Sequence, residues 1–166
     1  MLKDILSISG QTGLYKLVLQ AKNSIIVESL IDEKRMPVYA STKISALEDI
    51  SIYTIDGDLK LAEILIKIFE NKISVDSKIS ADSLKKQFKE ILPNYDENRV
   101  YVSDIKKIFS WFNLLTEKEI ITEETIKFYK ESIEEAEREK ENKIDNNQEI
   151  EEKRNNSEED SESSSE

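Results

Sequence analysis

A chain of 166 residues with no cysteine and no histidine has no thiolate nucleophile, disulfide or sulfur-bound metal, and lacks the commonest general base and transition-metal ligand. Carboxylates alone still allow a hard cation. The formal charge of −11 is uneven: residues 131–166 hold five Lys/Arg against fifteen Asp/Glu, while 1–72 hold nine against ten and 73–130 ten against ten, so the acidity says nothing for or against nucleic acid on the remainder.

The opening Met1–Gly10 has no apolar h-region, and no apolar run approaches the roughly 20 residues that span a bilayer. The expectation is a cytoplasmic protein with no membrane partner. Residues 13–19 (Gly-Leu-Tyr-Lys-Leu-Val-Leu) are β-branched, aromatic and partly alternating, which predicts a strand. A turn at 21–24 leads to a second strand over 25–30. The charged run 32–35 is the next turn, and 36–40 the next strand, at an edge or bulged because Pro37 cannot donate to a ladder. Residues 45–49 suit a single helical turn, and 50–55 alternate until Asp56-Gly57 stops them. Short antiparallel strands of this number bury little as a flat sheet, so a five-stranded SH3-like β-barrel is expected over 1–57.

From Leu59 the period becomes helical. Leu61, Ala62, Ile64, Leu65, Ile66, Ile68 and Phe69 cover more than half the circumference of a helix ending near Lys72, which predicts that this connecting element (58–72) is sandwiched. A helical domain is expected over 73–143. In it, Ser80 caps a helix over 82–92 that Pro93 ends. Ser103 caps another through Leu115, with Ile105, Ile108, Phe109, Phe112 and Leu115 inward and Trp111 and Leu114 off that stripe. Thr122 caps a last helix whose Ile126, Tyr129, Ile133 and Ala136 share a face, extended by Glu134/Arg138 and Glu139/Lys143 pairs. Residues 144–166 are Asn, Glu and Ser, too polar to offset ordering entropy, and read as a disordered acidic tail whose default role is solubility. The fold class is α+β.

The block Lys3-Asp4-Ile5-Leu6-Ser7-Ile8-Ser9-Gly10-x-x-Gly13-Leu14-Tyr15-Lys16 resembles a family of small Bacteroidota proteins defined only as a domain of unknown function. Ile26–Leu30, Tyr39–Ser41, Ser45–Thr54 and Val100–Ile108 with Trp111-Phe112-Asn113 extend the likeness over about 1–130. The resemblance implies a two-part intracellular bacterial protein and carries over no catalytic or binding residues.

No catalytic constellation emerges from the residues. Gly10-Gln11-Thr12-Gly13 has the spacing of a backbone-clamping GXXG loop, but that loop joins two helices and this one enters a strand, so it reads as a turn. Asp96, Asn98 and Asp104 have calcium-loop spacing, yet Tyr101 stands where the turn needs glycine and Lys107 where the bidentate Glu belongs. Glu48-Asp49 and Asp56/Asp58 read as turn and cap residues. No nucleophile elbow, Walker loop or dinucleotide fingerprint is present. The expectation is therefore no enzyme, no cofactor and no metal. Lys85, Lys86 and Lys89 on one helix, with Lys106, Lys107, Trp111 and Leu114 on another, form the candidate surface for a partner or for nucleic acid. Solvated lysine faces and a core-completing tryptophan are the ordinary alternative. The surplus apolar helix surface favours a binding or adaptor protein engaging a protein partner, a homodimer included. The alternative is an RNA- or ribosome-associated protein using the barrel and the lysine surface.

Overall fold

The computed structural model describes residues 1–140, so the tail expected over 144–166 lies outside the described residues, as does the end of the last helix. Five strands form one antiparallel sheet: β1 (Ile5–Ile8), β2 (Tyr15–Gln20), β3 (Ser24–Ser29), β4 (Arg35–Tyr39) and β5 (Ile44–Ala46), in the order β4-β3-β2-β1-β5. One face carries the cross-strand pairs Leu6–Tyr15, Leu6–Ala46, Ile8–Ile44, Leu17–Val27, Ile25–Val38 and Val27–Met36. These residues make a single apolar cluster around Leu6, Ile8, Tyr15, Val27 and Val38.

β4 and β5 are the outermost strands, yet only residues 40–43 separate them. Five steps of chain reach at most about 17 Å, less than the ~19 Å between the edges of a flat five-stranded sheet. The sheet must therefore curl round its apolar face, and the β2–β3 register shift between Leu17 and Leu19 adds the local twist that such curling needs.

The expected SH3-like barrel is corrected here: the sheet curls but does not close, because β4 and β5 are not hydrogen-bonded neighbours. β5 has only three residues, and β4 carries Pro37, which has no N–H to give. Two elements also differ from the pattern read in the sequence. β1 forms where no strand was expected, and Asp56-Gly57 reverses the chain into a separate hairpin, β6 (Ser51–Thr54) with β7 (Gly57–Lys60). In that turn the Thr54 hydroxyl donates to the Gly57 carbonyl at 2.7 Å.

A 3-10 turn, Leu47–Asp49, joins sheet to hairpin. It touches both β1 and the first helix, α1 (Leu61–Glu70), with Leu47 wholly buried. Six of the ten α1 residues are buried, Leu61, Ala62, Ile64, Leu65, Ile66 and Ile68, which matches the sandwiched helix expected from its wide apolar arc. α2 (Ala81–Ile91) starts at Ser80, whose Oγ accepts the Ser83 N–H, and buries Leu84, Phe88 and Ile91. α3 (Val102–Glu117) buries Ile105, Ile108, Phe109, Phe112 and Leu115 as predicted.

The start of α3 differs from expectation. Tyr101, not Ser103, holds the cap position, and the Asp104 carboxylate reaches back to accept the Tyr101 N–H at 3.1 Å. A negative charge there also complements the positive end of the helix dipole. The Thr122 hydroxyl accepts the Thr125 N–H at 3.2 Å at the head of a further helix, α4, over 123–140. Residues 1–126 form one compact unit, and those from Lys127 onward are grouped separately. In the latter, Phe128 is exposed and Tyr129 and Ile133 are half-buried. Among the described residues no helix is long and apolar enough to cross a membrane.

A candidate binding cleft on helix α3

The buried stripe of α3 leaves Ser103, Lys106, Lys107, Ser110, Trp111 and Leu114. At 100° per residue they cluster roughly opposite the core-facing side. Trp111 and Leu114 are nonetheless only half exposed. Their cover comes from two places far away in sequence: the β1–β2 loop Gly10–Gly13, and Ile31 in the β3–β4 turn. With Ser7, Ile8 and Ser9 they enclose a cleft of about 650 Å³.

Local chemistry explains why those two segments sit there. Gly10 and Gly13 both have positive φ, +81° and +83°, a conformation cheap only for glycine. The loop they shape is tied down by the Gln11 N–H to the Ile8 carbonyl at 3.1 Å and by the Tyr15 hydroxyl to the Thr12 carbonyl at 3.3 Å. A Cβ on Gly13 would come 2.5 Å from Ile31 Cδ1, so loop and turn are in direct contact. The turn itself is organised by Ser29, a buried residue whose Oγ accepts the N–H groups of Ile31 and Asp32. The Leu30 N–H donates to the Leu14 carbonyl at 2.9 Å, stitching turn to loop. Glu33 in the same turn pairs with Lys118 just past α3 at 3.7 Å. Asp32 is held below the usual carboxylate range by hydrogen bonds from Ser29 and Lys34.

The sequence-predicted surface is only partly assembled. Lys106, Lys107, Trp111 and Leu114 line this cleft together. Lys85, Lys86 and Lys89 on α2 do not line it. Lys89 instead pairs with Glu97 at 2.6 Å, an ion pair that holds the ammonium pKa up and the carboxyl pKa down. Ile31 and the Gly10–Gly13 loop were not among the candidates. The available signals were the paired glycines and an apolar residue set directly before the charged run 32–35.

A second, smaller cleft of about 270 Å³ lies on the other side of Lys107 and Trp111, which line both. Its walls include Ile50, Tyr53, Arg99 and Val100. The Arg99 guanidinium stacks 4.2 Å above the Tyr53 ring and meets Asp96 at 2.8 Å. Asp96 also accepts the Asn98 and Arg99 N–H groups. The guanidinium first, then the Asn98 N–H, hold its pKa below the usual carboxylate value. The acidic residue that opened the calcium-like spacing thus builds the turn ahead of α3. Beneath it Phe88 is wholly buried, edge-on to Tyr95 at 5.0 Å and tilted against Phe109 at 6.2 Å. Burial pushes the Tyr95 phenol up.

Fold and cleft together define a mixed α+β protein in which a curled antiparallel sheet supplies one wall of a cleft and a helix supplies the other. Comparison with known families divides the chain along nearly the same line. A model described as Domain of unknown function (DUF5606) matches residues 2–47, and one described as Domain of unknown function (DUF6852) matches residues 50–115. A Bacteroides vulgatus protein solved by solution NMR as a structural-genomics target is 44% identical. The match covers 74% of this chain and 90% of that one, with a TM-score of 0.60. The chain belongs to this Bacteroidota family, as its N-terminal block implied. No curated protein matches it.

Proposed function

We propose that this is a non-catalytic binding or adaptor protein of the cytoplasm that holds a segment of a protein partner in the cleft between the Gly10–Gly13 loop and α3. One observation carries the reading: α3 presents apolar side chains on both sides, and the outer set, Trp111 and Leu114, opens into a cleft with Ile8 and Ile31 instead of closing into the core. Its volume of about 650 Å³ falls within the range of ordinary ligand sites. The aromatic and apolar centre ringed by hydroxyls, the Gln11 amide and two lysines has the make-up of a protein-binding patch.

The experiment is affinity purification of the tagged protein from its native cells, with and without nuclease, alongside a Trp111→Ala/Leu114→Ala variant. Partners that survive nuclease and are lost with the variant support the reading. Partners that persist with the variant remove the cleft from it. Partners that vanish with nuclease replace it with the RNA- or ribosome-associated alternative, and self-association alone replaces it with a homodimer.

A further inference from the structure

The proposed cleft also carries a charge pattern and a shape, and from these we infer that the segment it accepts is acidic and extended, its carboxylates meeting Lys106 and Lys107 while an apolar side chain enters between Ile31, Trp111 and Leu114. The inference rests on the protein-binding reading of the cleft and specifies its ligand.

Lys106 and Lys107 line the larger cleft, and among the described residues no carboxylate does. Neither lysine has an ion-pair partner among the described residues, although Lys34, Arg35, Lys89, Arg99 and Lys118 each have one. Two cationic side chains lining one apolar slot both gain from an arriving anion. Both lysines are exposed, so pairing with an arriving carboxylate there is screened by salt. The remaining polar wall is mostly hydroxyl-bearing, from Ser7, Ser9, Thr12, Ser103 and Ser110 with the Gln11 amide beside them, which suits the backbone of an extended chain.

Shape points the same way. The larger cleft follows α3 from Ser103 to Leu114, about 16 Å at 1.5 Å per residue. That is the length of about five residues of extended chain. The smaller cleft continues the path beyond Lys107 and Trp111. Asp104 lines that far end and accepts the Tyr101 N–H; its negative charge keeps the segment's carboxylates on the side of the larger cleft. A single-stranded nucleic acid would instead call for a basic track following each phosphate. The α2 lysines that could have extended such a track line neither cleft.

Trp111 is the only tryptophan, so its emission reports this place alone. The test titrates the full chain with three probes: a short synthetic peptide of alternating Glu and Leu, the same peptide with Gln for Glu, and a single-stranded RNA oligonucleotide of equal charge. The Glu peptide is expected to shift Trp111 emission, and Lys106→Gln/Lys107→Gln, at two exposed positions, to weaken it about tenfold or more, as does Gln for Glu in the peptide. Equal affinity for the Glu and Gln peptides overturns the acidic assignment while leaving a protein-binding cleft in place. A response to RNA with none to either peptide overturns both, and silence to all three overturns the acidic, extended ligand.

Discussion

Replacing Gly13 by alanine separates the two physical reasons for glycine at the cleft. Gly10 and Gly13 have nearly the same φ, +81° and +83°, so an alanine at either position carries the left-handed cost of about 1–2 kcal/mol. Among the described residues nothing lies within 4 Å of a Gly10 Cβ, so Gly10→Ala measures that cost alone. A Gly13 Cβ would lie 2.5 Å from Ile31 Cδ1 and 3.1 Å from Cγ1, which forces the Ile31 side chain off its rotamer at a further ~0.5–1.5 kcal/mol. Gly13→Ala should therefore cost about 1.5–3.5 kcal/mol, and Ile31→Ala in the same chain should return it to the Gly10→Ala level. Ile31 is 56% exposed, so truncating it alone costs little. Urea denaturation reads the differences directly, since each kcal/mol moves the midpoint by roughly 0.3–1 M for slopes of about 1–3 kcal/mol/M. If Gly13→Ala costs no more than Gly10→Ala, or Ile31→Ala fails to relieve it, the loop and the turn are not in contact and the cleft wall described here is wrong.

Phe88→Ala empties a wholly buried site between Tyr95 and Phe109 and should cost about 3–5 kcal/mol, with Phe88→Leu costing much less; a thermal melt or urea curve that barely moves for alanine would place Phe88 outside the core. Asp96 gives a pH signature. Its folded-state pKa lies below the unfolded value of 3.8 because of Arg99 and the Asn98 N–H, so the unfolded state takes up the proton first as pH falls. Its contribution is complete above that ordinary value and is lost as pH drops through the lowered one. Wild-type stability should accordingly fall more steeply than that of Asp96→Asn in acid titrations of the urea midpoint, and parallel curves would contradict the Arg99 pairing.

Much of the fold was legible where one physical pattern dominated. α1 announced itself through apolar residues over more than half its turn, and six of its residues are buried. Ser80 and Thr122 marked two helix starts because a hydroxyl just before an apolar period satisfies an otherwise orphaned N–H. β1 escaped because Ile5, Leu6 and Ile8 are all buried, and a four-residue strand covered on both faces shows no alternation. β7 escaped because its residues are mostly polar and follow a strong turn pair, which reads as an ending unless the returning strand can be recognised. Barrel closure was overestimated for a related reason. A count of strands and the short 40–43 link both require curling, but closing needs a ladder between β4 and β5, which three residues on one side and a proline on the other do not supply.

The cleft was half legible for a reason particular to helices. The sequence of α3 places Lys106, Lys107, Trp111 and Leu114 away from the core stripe with good accuracy, because the 100° step is local information. Nothing local says which direction that outer face points in space, so the α2 lysines were grouped with it although Lys89 turns to Glu97. Nor does it say what lies across from it. Ile31 and Gly13 come to line one cleft with Trp111 and Leu114 only through the tertiary fold, from segments far away in sequence. Two apolar faces on one helix predict that something must cover each, and the inner cover is the core. The outer cover here is incomplete: it leaves a cleft with two lysines that have no ion-pair partner among the described residues. The two family matches meet at residues 47–50, and each part supplies one wall of that cleft, so the cleft needs both parts. Under the proposed function, swapping the sheet part for an unrelated sheet should abolish peptide binding without touching Lys106, Lys107 or Trp111, as Trp111 emission would report.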